Sequence, residues 1–348
     1  MKNKMQDYIA IQPQVLAGVL AQTDFRELQD KAHAFTRIVL VGAGSSYHAM
    51  HMACPFCRQA LNPATVIACT PAQLDWLTPA IAAETLVIVA SQSGTSTNVL
   101  GLIERLQKEG FFVCAVTQDA SSPIATGADA HVLLTMPTEN AGPKTMGVMA
   151  TMLTVQLLAC VLGGSGEAKL RKDMARIIAA MPRNIEATVR WCGQAAPELM
   201  QTDAYLVVGQ DNAAAIAGES VLKLIETVRR PSIGLELEEI IHGPVNVFQK
   251  GITLLYLSRP DEAQTRPQAL RDMAKAAGAK AWNIALHQGE PANTDDTLTL
   301  TFDADPLLCA YALLLPAQII SAYVAPAMGI DLDAHHADPY SAILAGHL

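Results

Sequence analysis

Short apolar runs that break into small, polar turns recur along the chain, and helical patterns separate them. Ile38-Val39-Leu40-Val41 runs into Gly42-Ala43-Gly44-Ser45-Ser46, and the run over 84–90 ends in Ser91-Gln92-Ser93-Gly94-Thr95-Ser96-Thr97. Continuous apolar runs without alternation predict strands buried on both faces, the signature of a parallel sheet. Further strands are predicted over 64–69, 111–116 and 129–136, with helices over 48–60 and 98–109. Residues 8–35 read as mostly helical, with Pro13 at one helix entry and Asp24 as a cap of the next. The long apolar stretches 146–163 and 310–330 each contain a Gln, and the second contains two prolines, so buried helices are expected rather than membrane spans.

The pattern then repeats. Leu206-Val207-Val208-Gly209 follows Val39-Leu40-Val41-Gly42 at a spacing of 167 residues, and the same spacing carries Ser91 to Ser258, where Leu254-Leu255-Tyr256-Leu257 ends. It also carries Ala128 to Asp295, just before a strand predicted at 297–301, while the 111–116 strand has its counterpart near 281–286. Preserved spacing between several strand ends predicts two similar α/β halves. Residues 169–196 read as one or two amphipathic helices beyond a small, polar stretch, so the expected domains are 1–165 and 166–348.

Composition narrows the function classes. The formal charge of -9 is spread without long blocks, which argues against a nucleic-acid surface. With 51% hydrophobic and only 16% charged residues, the chain suits self-association. The first residues lack the apolar core of a signal peptide, so a cytoplasmic location is expected. Seven cysteines in mostly apolar contexts read as reduced and buried; Cys54-Pro55-Phe56-Cys57, with CxxC spacing, leaves a redox role as the alternative.

Gly42 and Gly44 allow a sharp turn, and Ser45 and Ser46 place hydroxyls at a helix N-terminus, which makes an anion seat at the carboxyl end of a strand. The motif is neither a dinucleotide fingerprint nor a P-loop, since Tyr47 stands where a third glycine would be wanted and no Gly-Lys-Ser/Thr follows. The 91–97 turn carries five hydroxyls, more than one helix cap uses. Gly209-Gln210-Asp211-Asn212 and Ser258-Arg259-Pro260-Asp261 lack these hydroxyls, so the anion seat belongs to the first half. The second half instead offers Lys223 and Glu226 at i,i+3 on a helix, and Glu239 three residues before His242-Gly243-Pro244. From spacing alone a surface ion pair is the better reading of the first, and the second reads as well as a simple helix end and turn.

Together these residues make the chain resemble the sugar isomerase (SIS) domain family, in its double-domain branch, over nearly its whole length from Pro13 to Pro339. That branch includes the isomerase half of glucosamine-6-phosphate synthase and the fructosamine-6-phosphate deglycases. The resemblance implies two flavodoxin-like three-layer α/β domains with parallel sheets and a phosphosugar ligand, and neither cofactor nor metal. It implies that Ser46, Ser91, Gln92, Ser93 and Ser96 hold the sugar phosphate, supported by Gly44 and Ser45. It makes Glu226 and His242 the catalytic pair, with Lys223 beside Glu226. In the family this His commonly reaches a neighbouring subunit's site, so a homodimer or larger homo-oligomer is expected, with no nucleic-acid or membrane partner.

One departure bears on the reaction. Synthase-type isomerases end in a tail whose lysine assists ring opening, and residues 331–348 contain none; His335, His336 or His347 is the candidate replacement. The expected activity is therefore a deglycase that splits a fructosamine 6-phosphate into an aldose 6-phosphate and a free amine or amino acid. Glu226 would act as base and His242 as acid, Lys144 and Lys223 would steady negative charge, and Glu139 would recognise the amine. The alternatives are an isomerase or deaminase of an amino-sugar phosphate, and a sugar-phosphate-binding protein without catalysis.

Overall fold

The computed structural model describes residues 3–22, 25, 28, 35–74, 82–289 and 294–333. Among the described residues ten strands form two sheets, both entirely parallel. The first contains β1 (Arg37–Gly42), β2 (Thr65–Cys69), β3 (Thr85–Ala90), β4 (Phe112–Thr117) and β5 (Ala130–Leu133), in the order β2-β1-β3-β4-β5. The second contains β6 (Ala204–Gly209), β7 (Ser232–Glu236), β8 (Ile252–Leu257), β9 (Lys280–His287) and β10 (Thr297–Thr301), in the order β10-β9-β8-β6-β7. Read from its other edge, the second order repeats the first strand for strand. The two similar α/β halves expected from the spacing, and the flavodoxin-like class implied by the resemblance, are the fold observed.

The longer helices are α1 (Lys4–Ala10), α2 (Gln12–Gln22), α3 (Ser45–Ala60), α4 (Thr97–Lys108), α5 (Met146–Leu162), α6 (Glu167–Leu199), α7 (Asn212–Thr227), α8 (Leu237–Ile241), α9 (Thr265–Ala276) and α10 (Leu315–Ala327). Two compact units emerge. Among the described residues, one comprises those of Gln14–Glu139 and Met146–Lys172; the other comprises those through Pro13, Asn140–Thr145, and those from Asp173 to Asp333. In the first unit Val39, Val41, Val87, Val89 and Val113 pack against Leu102, Ile103 and Leu106 of α4. In the second, Leu206, Val208, Leu254 and Tyr256 pack against Leu270 and Ala274 of α9.

Strands buried on both faces carry the apolar runs that announce them: every residue of β3 and of β8 is buried. β7 is the exception. It is an edge strand, reads Ser-Ile-Gly-Leu-Glu, and leaves Ile233 52% exposed, so no apolar run marks it. β5 stops at Leu133, short of the 129–136 expectation, because its partner β4 ends at Thr117, whose carbonyl takes the N–H of Leu134. Residues 167–199 form one continuous helix despite Pro182 and Pro197.

Both apolar stretches are core helices. α5 is buried along nearly its whole length, and Pro306–Ala327, long and apolar enough to cross a membrane, has 89% of its most apolar window inside the fold. All seven cysteines are free and buried. Cys54 Sγ donates to the Val66 carbonyl and Cys57 Sγ to that of Val155, and burial pushes both thiols up, away from reactive thiolate. The CxxC spacing here serves packing rather than redox chemistry.

The edge strand β10 is closed by a side chain. Asn184, 3% exposed on α6, donates Nδ2 to the Thr301 carbonyl at 2.9 Å and accepts the Thr301 N–H at 2.8 Å. Asn184→Ala strands both backbone groups, so a loss of about 1–3 kcal/mol is expected in thermal or urea unfolding.

Candidate functional site

In the first sheet the chain turns to opposite sides after β1 and β3, which makes the carboxyl ends of those strands the switch point where open α/β sheets hold ligands. Gly42 and Ala90 are register partners there, so the two polar turns leave the sheet side by side. After β1, Gly44 caps α3 with φ 53° and ψ −132°, a conformation glycine tolerates, and no side chain fills the cap. Ser45 and Ser46 then open α3 half-buried, with the Ser46 and Tyr47 amides bound to the Ala43 carbonyl.

After β3, Ser91 is buried and its backbone is pinned to Val116 of β4. Its hydroxyl lies 3.2 Å from that of Ser96, and Ser93 Oγ lies 2.9 Å from Thr95 Oγ1. Ser96 stands at the N-cap of α4, yet its side chain makes no cap bond. The hydroxyls thus bond to one another around a helix start instead of closing it, an arrangement suited to a phosphate oxygen cluster. Gln92 sits half-buried in the same turn, and its main-chain carbonyl takes the Gln118 N–H at 3.1 Å.

Two predicted site residues have other work. Glu139 is 3% exposed and accepts the amides of Met146 and Gly147 at 3.2 and 3.0 Å, so its carboxylate caps α5 instead of standing open at a loop mouth for an amine. Lys144 is half-buried, with Nζ on the Ala141 carbonyl at 3.0 Å. His336 lies outside the described residues, as do His335, His347 and the predicted cap Asp24.

In the second unit, α7 carries an ionic cluster. Lys223 has no exposed side-chain surface, and its Nζ donates to Glu226 Oε2 at 2.7 Å and lies 3.4 Å from Glu219 Oε1. Glu219 is equally buried, whereas Glu226 shows 36% of its side chain to solvent. Burial alone would pull the ammonium down; the flanking Glu219 and Glu226 more than offset it and hold Lys223 above its ordinary value. The surface ion-pair reading therefore fails at Lys223. Buried, it cannot touch a substrate, but its ammonium orients Glu226. Glu219 was missed in the sequence; its signal is an acid four residues before Lys223 on the same face as Glu226.

His242 ends α8, exposed, with its backbone N–H on the Glu239 carbonyl at 3.2 Å. Among the described residues no hydrogen bond or ion pair joins its ring to Glu226. The second unit's counterpart of the anion seat is closed by its own side chains. Asp211 adopts φ 53° and ψ −123° at the start of α7, almost the geometry of Gly44, and its carboxylate takes Arg259 Nη1 at 2.7 Å. Arg259 also holds Asp261 at 2.8 Å. The seat is thus filled with paired charges, unlike the hydroxyl-lined turns of the first unit.

A SIS domain model matches residues 33–161. The chain is 26% identical over 312 residues to glutamine–fructose-6-phosphate aminotransferase (isomerizing) of Lactococcus lactis, an alignment covering 85% of this chain and 50% of that protein. The chain spans about half the length of the curated relatives it matches. Its fold matches the C-terminal domain of glucosamine-fructose-6-phosphate aminotransferase from Francisella tularensis with a TM-score of 0.81 at 17% identity, covering 96% of this chain and 98% of that one. It also matches glucosamine-6-phosphate deaminase from Thermotoga maritima with a TM-score of 0.79 at 20% identity, covering 96% and 98%. Residues 33–161, which hold the first sheet and both serine turns, thus match the SIS domain, and over 85% of its length the chain is similar in sequence to a glutamine–fructose-6-phosphate aminotransferase.

Proposed function

We propose that this chain is an acid–base enzyme acting on a sugar phosphate, of the isomerase or deaminase type. The carrying observation is Glu226, a carboxylate open to solvent and fixed at 2.7 Å by an ammonium with no exposure. The phosphate ester is assigned to the turns of Ser46, Ser91, Gln92, Ser93 and Ser96, where hydroxyls surround two helix starts. Glu226 then takes the proton from the carbon beside the carbonyl, and the electron pair moves onto the carbonyl oxygen. That oxygen takes up a proton, the neighbouring hydroxyl gives one up to become the new carbonyl, and returning the first proton to the former carbonyl carbon completes an aldose–ketose exchange. With a 2-amino sugar the same shift yields an imine, which water hydrolyses to a ketose and ammonia. Lys223 holds the Glu226 carboxylate in place, and His242 is assigned the acid at the sugar oxygens. The homo-oligomer expected from the resemblance belongs to this reading.

The names of the relatives favour this isomerase or deaminase branch over the deglycase expectation. A second reading keeps one specific support: residues 331–348 contain no lysine. There the proton shift would turn a fructosamine 6-phosphate into an aldimine, which water splits into aldose 6-phosphate and amine. A three-arm assay separates them, with fructose 6-phosphate read for interconversion, glucosamine 6-phosphate for ammonia and fructose-amino-acid 6-phosphates for released amine. Turnover in either of the first two arms is the expected result. Turnover in the third alone would favour the deglycase, and tight binding without turnover in any arm would overturn the enzyme reading.

A further inference from the structure

Glu139 and Gly147 join the phosphate turn to the start of α5 without contributing a hydroxyl to it. Glu139 holds the first amides of α5, and the second residue of that helix is Gly147. A Cβ on Gly147 would stand 2.4 Å from Oε1 and 3.0 Å from Cδ of Gln92, and 2.9 Å from Glu139 Oε2. The Gln92 amide therefore rests on bare backbone that the Glu139 carboxylate holds in place. The circuit closes on the other side, where the Gln92 carbonyl takes the Gln118 N–H at 3.1 Å and Gln118 Nε2 donates to the Met136 carbonyl at 2.9 Å, three residues before Glu139. The turn after β3, the end of β4, the chain beyond β5 and the start of α5 thus form one ring of contacts.

We infer that Glu139 and Gly147 are positioning residues for phosphate recognition: Glu139 fixes the first turn of α5 so that Gly147 offers a side-chain-free seat for Gln92. A carboxylate at this helix start also fills the amides a second anion would seek, which suits a ligand with a single phosphate group. The inference rests on the phosphosugar reading above.

The test is a double-mutant cycle on the full chain, with fructose 6-phosphate binding measured by calorimetry and kcat and KM measured in whichever assay arm is active. Gly147→Ala should weaken binding by about tenfold or more and raise KM more than it lowers kcat. In a Gln92→Ala background the same substitution should cost less than about twofold, because the side chain it displaces is gone. Glu139→Gln, which keeps the shape and loses the charge, should show the same coupling and stands in if Gly147→Ala does not fold. Unchanged affinity, or an equal loss in both backgrounds, would overturn the inference while leaving the phosphosugar reading standing. A wild-type chain that binds no sugar phosphate would overturn both.

Discussion

Lys223→Met is expected to cost about 3–5 kcal/mol of stability, because it takes the ammonium away from Glu219, a carboxylate with no exposed surface. At about 2–4 °C per kcal/mol for a large domain, the melting temperature should drop by roughly 10 °C. Adding Glu219→Gln removes the buried charge and should restore most of the loss. Without that recovery, the destabilisation would have to come from lost packing of the lysine stem. The pH dependence has a definite sign. Lys223 is held above its ordinary 10.5, so the stability it contributes is fully present below that value and is lost as pH rises through the raised one. Alkaline unfolding of the wild type should therefore contain a decline above about pH 10.5 that the Lys223→Met/Glu219→Gln variant lacks.

Glu226→Gln should lower kcat by about 100- to 10,000-fold, the usual contribution of a positioned acid–base group. The fold should survive it. Glu226 is partly exposed, and Lys223 keeps Glu219 at 3.4 Å as a counter-charge, so the melting temperature should move by only a few degrees. A large kcat loss with an intact melting curve separates chemistry from structure at this position. Full activity in this variant would remove Glu226 from the mechanism.

Much of this was written in the order of residues. The strands β1, β3, β6 and β8 were legible because parallel strands covered on both faces must be apolar throughout, and their common 167-residue spacing exposed the duplication. The serine turns were legible because they stand where strands end. β7 was not, since an edge strand needs no apolar run. Glu139 could not be read as a cap, because it reaches α5 from seven residues upstream, beyond any local capping spacing. The Lys223–Glu226 pair was visible, but its burial was not, since i,i+3 spacing is the same on a wet face and a dry one. Arg259 closing the second seat depends on Asp211, 48 residues away, a contact that only the sheet brings about.

The most direct measurement is proton exchange at the sugar carbon beside the carbonyl. The chain and its Glu226→Gln variant would be incubated in deuterated water with fructose 6-phosphate, glucosamine 6-phosphate and a fructose-amino-acid 6-phosphate, and followed by NMR. Deuterium entering that carbon of at least one substrate or its product with the wild type, and not with the variant, is the expected result for every reaction that uses this carboxylate. Equal incorporation by both proteins would contradict Glu226 as the group that moves the proton.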